Sequence, residues 1–120
     1  MNKITTAILL LFAIHLNAQI GNDNIGARSA AMGGFTTTLS DVWSTNNNKA
    51  GLGFMTDFSG GIYYENRFLL KETSYKAAAL VLPVKIGALG ISVTSFGFEL
   101  YNETKAGLYY GQRFGDKFSV

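Results

Sequence analysis

From Asp57 onward, apolar side chains recur at every second position, and this alternation constrains the fold more than any other feature. Each alternating segment has one apolar face without charge and one face of small or polar residues. The segments are about ten residues long, as in tilted membrane-spanning strands, whereas soluble strands usually stop at about five or six. We therefore predict an all-β chain, an antiparallel meander of hairpins that forms part of a transmembrane β-barrel, with about 4–6 strands present. The clearest sets are Phe58, Ile62 and Tyr64; Leu89, Ile91 and Val93; and Leu108 and Tyr110.

The composition is in keeping with this class of protein. The chain has 14 glycines, 13% aromatic residues and only 15% charged residues, while 48% of its residues are hydrophobic. The high hydrophobic and low charged content argues against disorder, and the glycine and aromatic content favours β-structure. A periplasmic β-sandwich or a lipocalin-like barrel alternates in the same way. A soluble periplasmic β-domain that binds an apolar ligand is therefore the alternative interpretation.

The strand count bears on how such a barrel would close. The smallest familiar membrane barrels have eight strands, and an open sheet edge in lipid leaves backbone N–H and C=O groups without partners. Residues 57–120 are therefore expected to be the first hairpins of an incomplete barrel, an N-terminal fragment of a longer one. Several copies that share one barrel are the rarer alternative.

The sequence predicts the connections between strands, but it leaves part of the strand register open. We expect longer loops at residues 68–72 and 101–104, and tight turns at 85–86 and 115–117, an alternation that outer-membrane barrels show. Residues 73–84 are apolar on both faces, so their register stays open, although Lys76 favours the polar face. After Thr94 the phase changes at Phe96 and Phe98, which indicates either a β-bulge or a strand that leaves the apolar zone.

Residues 1–18 have the three parts of a secretory signal peptide. A basic start at Lys3 precedes an apolar run over residues 7–14, and a small residue at position 18 precedes Gln19. The run is far shorter than the ~20 residues of a spanning helix, which argues against the alternative of an N-terminal anchor. We predict cleavage after Ala18 and localisation to the cell outer membrane.

The residue types also limit the chemistry. The chain has no cysteine, and its one histidine, His15, lies in the predicted signal peptide. A catalytic triad, a Cys-His pair and a typical zinc site are therefore excluded after cleavage, so we expect neither an enzyme nor a metal or cofactor. The net charge is only +2 and no basic arm is present, so no nucleic-acid partner is expected.

Residues 19–56 separate the signal peptide from the alternating segments and are rich in small and polar residues. We predict a short strand over residues 35–39, where threonines favour extended backbone. Ser40 and Asp41 are expected to cap one helical turn through Val42 and Trp43. Asn46 and the two asparagines after it should end that turn, because asparagine competes for backbone hydrogen bonds.

This stretch carries the motifs of a known family. It resembles the opening of the PorV/PorQ proteins, part of the wider FadL-like outer-membrane superfamily. The family's D-x-W/x-S segment is matched at residues 40–44, and its N-P-A-G-L motif is matched with Lys49 in place of proline. The matching residues are Gly26, Ala27, Arg28, Met32, Gly33 and Gly34, then Trp43, then Asn48, Lys49, Ala50, Gly51 and Leu52.

The resemblance implies a fourteen-stranded antiparallel barrel whose N-terminal segment, here residues 19–56, folds into the lumen as a plug or hatch. It implies passage of hydrophobic compounds such as long-chain fatty acids, as in FadL-type members, or a role in type IX secretion in Bacteroidota, as for PorV and PorQ. The implied partners are membrane lipid and either a hydrophobic small molecule or a secreted protein cargo. A non-transporting scaffold that binds cargo or partner proteins is the alternative.

Several single residues have two interpretations within this picture. Arg28 is either a solvated charge of the plug or an anchor to a lumen carboxylate. Trp43 either packs the plug against the barrel wall or touches a ligand. Glu65 and Arg67 are expected to face the lumen, as is Arg113, where they pair with neighbouring strands or line a polar path. Tyrosines at strand ends suit an aromatic belt at the lipid headgroups.

Overall fold

The computed structural model describes residues 24–120, so the predicted signal peptide and its cleavage site lie outside the described residues. These residues form a five-stranded antiparallel sheet in which each strand pairs with the next one along the chain. The sheet is curled into a half-barrel, and residues 24–56, which we call the N-terminal segment, lie against its concave side. The predicted all-β antiparallel meander is therefore confirmed.

The four long strands have 8, 11, 12 and 14 residues, which agrees with the expected length of about ten. The fifth strand has 2 residues and pairs with the end of the fourth. The strands are β1 (Ser59–Asn66), β2 (Ser74–Val84), β3 (Gly87–Phe98), β4 (Tyr101–Phe114) and β5 (Phe118–Ser119).

Short helices make up most of the rest. The N-terminal segment contains the α-helix α1 (Ala27–Ala31) and the 3₁₀ helices η1 (Val42–Thr45) and η2 (Lys49–Phe54). Two 3₁₀ turns, η3 (Arg67–Leu69) and η4 (Lys71–Thr73), connect β1 to β2 and confirm the longer loop expected there.

The predicted cap of the helical turn is confirmed. The Asp41 side chain accepts a hydrogen bond from the Trp43 backbone N–H at 2.9 Å, and the Asp41 N–H donates to Ser44 Oγ at 3.1 Å. The predicted strand over residues 35–39 is wrong. The Leu39 N–H donates to the Thr36 carbonyl at 3.1 Å, so the threonines lie in a turn with no neighbouring strand to pair with.

The predicted long loop at residues 101–104 is also wrong. Those residues belong to β4, and only residues 99–100 separate it from β3. The strand continues through these residues because the pairing of β3 with β4 runs without interruption to its last pair, Phe98 opposite Tyr101. The same unbroken pairing excludes a β-bulge after Thr94. Phe96 instead lies on the concave face, where it packs on Tyr75 at 6.2 Å between ring centroids. The tight turns at residues 85–86 and 115–117 are confirmed.

The open register of residues 73–84 is resolved by burial. Ala77, Ala79 and Val81 are buried on the concave face, while Lys76 and Leu80 are exposed on the convex face. The expectation that Lys76 takes the polar face is therefore wrong. The N-terminal segment lies over this concave face, where Ile25 packs on Ala77 and Leu52 packs on Val81.

Candidate functional site: a filled concave face and an apolar convex face

The convex face of the half-barrel is apolar and exposed. Large side chains are brought side by side in rows across the strands, such as Leu80, Ile91 and Leu108, which are paired from β2 to β4. Ile62 is 90% exposed and Leu108 is 75% exposed. A monomer in water rarely presents a contiguous apolar surface of this kind, which marks a site that contacts protein or lipid.

One tyrosine lies at each of two levels of this apolar face. Tyr64 lies opposite Lys76 near the β1–β2 connection, and Tyr110 lies opposite Leu89, which in turn pairs with Leu82. Along β2 the two levels are six residues apart, which corresponds to ~20 Å of strand. Membrane barrels have an apolar band of ~25 Å between two aromatic girdles, so the spacing is close to that of a membrane-spanning wall.

The concave face is shaped to receive the N-terminal segment. Three glycines, one on each of β1, β3 and β4, leave room where that segment touches the sheet. A Cβ at Gly61 would lie 3.0 Å from the Trp43 ring, and one at Gly90 would lie 2.6 Å from Thr45 Cγ2. A Cβ at Gly111 would lie 2.7 Å from Leu52 Cβ. The small inward residues therefore leave room for side chains of the N-terminal segment and, at Gly111, also for its backbone.

Two apolar clusters join the segment to the sheet. In the first, Ile25 packs with Tyr75 and Ala77, and Trp43 and Tyr63 pack at its margin with their rings 5.8 Å apart. In the second, Leu52 packs with Val81 and Ala88 and is fully buried. Trp43 thus packs the N-terminal segment against the concave face of the sheet.

The glycine-rich motif forms α1 and the turn after it. Gly26 has φ +111° and lies against Trp43, so a side chain there would be both strained and obstructed. Gly33 and Gly34 have φ of +66° and +84° and turn the chain away after α1. Ala27, Arg28 and Met32 are exposed, and among the described residues no ion pair involves Arg28.

The motif at residues 48–52 forms η2. The Asn48 side chain donates to the Thr37 carbonyl at 2.8 Å, and Gly51 and Leu52 are buried while Ala50 is half-buried. Lys49 Nζ donates to the Asn46 carbonyl at 2.7 Å and lies 5.6 Å from the centre of the Tyr109 ring. Lys49 is thus exposed and contacts β4 through its head group.

Asn47 has a role that was missed from the sequence, where it was treated only as a helix breaker. Its side-chain amide accepts from the Ile25 N–H at 2.9 Å and donates to the Ile25 carbonyl at 2.7 Å. This pair of bonds fixes the start of α1 against η1. A run of three asparagines indicates that one of their side chains can bond to the backbone, but it does not indicate which backbone groups will be the partners.

The three charged residues predicted to face the lumen lie at opposite ends of the half-barrel, Glu65 and Arg67 at one end and Arg113 at the other. Glu65 and Arg67 form an ion pair at 3.0 Å, and the Tyr63 hydroxyl donates to Glu65 at 2.9 Å, all near the β1–β2 connection. Glu103 and Lys105 form a second pair on β4 at 2.9 Å.

Arg113 lies at the other end of the half-barrel. It bonds to the Gly115 carbonyl and to Asp116, and its guanidinium lies 5.9 Å from the centre of the Phe54 ring. The three predicted lumen residues therefore do not form one cluster.

The described residues contain no group of three or more His, Cys, Asp or Glu side chains that could hold a metal ion. In residues 24–120 none of the helices has the length and apolarity needed to cross a membrane.

Comparison with known proteins adds no relative. No protein-family model matches the chain. No curated protein matches it, and no solved structure matches it. The geometry of the two faces and the motifs in the sequence are therefore what indicates a function.

Proposed function

We propose that this chain forms part of the wall of an outer-membrane β-barrel, with the N-terminal segment as a plug on the inner side. The observation that carries the proposal is the exposed apolar convex face between two levels of tyrosine. Lipid is the solvent in which such a face is stable, because acyl chains cover apolar side chains and keep water away from them. The opposite face is already covered by protein.

The soluble alternative has weaker support. A soluble β-domain that binds an apolar ligand would enclose the ligand on its concave side, with polar residues outside. Here the concave side is occupied by Leu52 and Trp43, and the large apolar side chains point the other way. The burial pattern is therefore opposite to that of a lipocalin-like barrel.

Closure of the barrel is part of the proposal. The five described strands leave the outer edge of β1 unpaired within residues 24–120, and an unpaired edge is strongly unfavourable in lipid. Further strands, from the same protein or from other copies, would complete the ring. The resemblance to the PorV/PorQ proteins favours a larger single-chain barrel.

For the role of the barrel, we propose docking or controlled passage of a substrate in type IX secretion, or passage of a hydrophobic compound. The close fit of the plug against Gly90 and Gly111 supports a closed resting state. A stoichiometric protein partner that co-purifies without a hydrophobic ligand would favour docking, and a bound apolar compound without a partner would favour passage.

The membrane proposal is tested by the accessibility of single cysteines, since the natural chain has none. Leu108→Cys places a thiol on β4 between the two levels of tyrosine on the convex face, and Glu99→Cys places one in the β3–β4 turn. The full chain is expressed with its own signal in a bacterium with an outer membrane, and each variant is treated with a water-soluble maleimide. We expect the turn variant to react and the Leu108→Cys variant to be protected until the membrane is dissolved and the protein unfolded.

Equal reaction of both variants in intact membranes, or recovery of the protein in the soluble periplasmic fraction, would overturn the proposal. The second outcome would select the soluble β-domain. A third variant, Leu52→Cys, serves as a buried control, because its site is protected by the plug contact in either case.

A further inference from the structure

The convex face is not uniform. It contains an apolar groove of about 590 Å³ between β1, β2 and β3. The groove exists because glycine and alanine occupy positions where neighbouring rows have large side chains, so the surface is lowered there. Its outward-facing lining consists of Gly60, Ile62, Ala78, Leu80, Ile91 and Val93.

One end of the groove meets a row of polar side chains. Tyr64, Lys76 and Ser95 lie opposite one another on β1, β2 and β3, one row beyond Ala78 on the same face. Among the described residues, Lys76 is the one charged side chain on the convex face of the strands, and no ion pair involves it. A lone ammonium on an apolar surface needs an anion or water at its head group.

We propose that this groove binds one acyl chain of an anionic phospholipid, whose phosphate is held by Lys76 and the Tyr64 hydroxyl. The inference rests on the proposed membrane function and adds to it the class of lipid and its site. The apolar stem of Lys76 lies along the surface while its ammonium reaches the headgroup level. Basic residues at that level attract anionic headgroups.

The dimensions agree with a single chain that lies along the strands. Positions on one face of a strand are ~7 Å apart, so the groove extends over ~13 Å from the Lys76 row to the Leu80 row. Cross-strand neighbours on one face have Cβ atoms ~5 Å apart, which brings the Tyr64 hydroxyl and the Lys76 ammonium within reach of one phosphate. The head and tail of one lipid thus meet groups of matching chemistry.

The test uses the full chain in vesicles that contain equal amounts of phosphatidylglycerol and phosphatidylcholine. The protein is extracted in mild detergent, and the lipids that remain bound are identified by native mass spectrometry. We expect phosphatidylglycerol to be enriched about fivefold over phosphatidylcholine, since one lysine near the surface contributes on the order of 1 kcal/mol. Lys76→Gln should abolish the enrichment, and Ala78→Phe, which fills the groove, should remove the bound lipid of either kind.

Lys85→Gln is the matched control, because Lys85 lies in the β2–β3 turn away from the groove, and it should keep the enrichment. Membrane insertion is measured in each sample through the protection of a cysteine at position 108. All samples therefore carry Leu108→Cys. Equal binding of both lipids with Lys76 present and with Lys76→Gln, while the thiol at position 108 is protected, would overturn the lipid site but leave the membrane function standing. A reactive cysteine would overturn both.

Discussion

The concave and convex faces of β1 to β4 are built by the same four strands, yet they are adapted to different neighbours. On the concave face, Gly61, Gly90 and Gly111 are small because another part of the chain lies directly on them. On the convex face, Ile91 and Leu108 are large and stay 50% and 75% exposed. The two faces therefore differ in side-chain size more than in polarity. Small residues are found where protein packs on the sheet, and large residues where fluid acyl chains could cover it.

The largest expected effect comes from a cavity under the N-terminal segment. Leu52→Ala removes a fully buried side chain between η2 and the sheet, and such changes cost ~2–5 kcal/mol because the cavity collapses only partly. The measurement is denaturant unfolding of the protein in detergent micelles. It is followed by the fluorescence of Trp43, the one tryptophan in the chain, which packs on Tyr63.

Leu108→Ala is the matched change on the convex face. In a micelle or a membrane it should cost less than about 1 kcal/mol, because acyl chains are as apolar as leucine and leave no cavity. Equal losses for the two variants would mean that Leu108 is also packed against protein, and the difference between the faces would disappear.

A smaller effect is expected from a charge placed on the convex face. Ile91→Arg lies in the middle row and should cost ~2–4 kcal/mol of stability in the membrane, whereas Ser95→Arg, in the row of Lys76 and Tyr64, should cost ~0–1 kcal/mol. The measurement is the yield of carbonate-resistant protein in outer membranes, together with the urea midpoint in vesicles. Comparing the two variants distinguishes a cost that depends on depth in the bilayer from a cost that any arginine on this face would have.

In water, both arginines would be exposed and both would be tolerated or even increase solubility. The absence of any difference between positions 91 and 95 would therefore argue for the soluble alternative. A greater loss of stability for Ser95→Arg than for Ile91→Arg would place position 95 deeper in the membrane than position 91 and would contradict the proposed position of the apolar band.

The strands were predictable because their alternation is a local property. Ile91 and Val93 flank Ser92 in the sequence, and the pleat alone places these two residues on the face opposite to that of Ser92. Residues 73–84 were not resolved, since alanine and leucine suit either face. The burial of Ala77 follows from its contact with Ile25, some fifty residues earlier in the chain, and the local pattern carries no information about that contact.

Hairpin ends and the N-terminal segment show the limits of local patterns. Polar residues at 102–104 resembled a loop, but cross-strand pairing with Phe96 and Gly97 extends β4 through them. The Asp41 cap could be predicted because it satisfies backbone groups two or three residues away. The two hydrogen bonds between Asn47 and Ile25 could not be predicted, since these residues lie far apart in the sequence and meet only in the folded segment.

The smallest expected effect concerns that cap, and it tests whether the concave face depends on local structure in the segment above it. Asp41→Ala removes the side chain that accepts from the Trp43 N–H, and loss of such a cap costs about 1 kcal/mol. Because η1 carries Trp43 and Thr45 onto Gly61 and Gly90, fraying of η1 should loosen the contact with β1 and β3 first.

The measurement is hydrogen exchange at the backbone of residues 42–45 compared with that of residues 89–93, with Asp57→Ala as the control. Asp57 is exposed beside β1 and caps no helix, so its replacement should leave both rates unchanged. We expect Asp41→Ala to raise exchange about fivefold in the first stretch and little in the second, because the sheet is held by its own ladder. An equal rise in both would show that the N-terminal segment and the sheet unfold as one unit, so that the concave face exists only while it is covered.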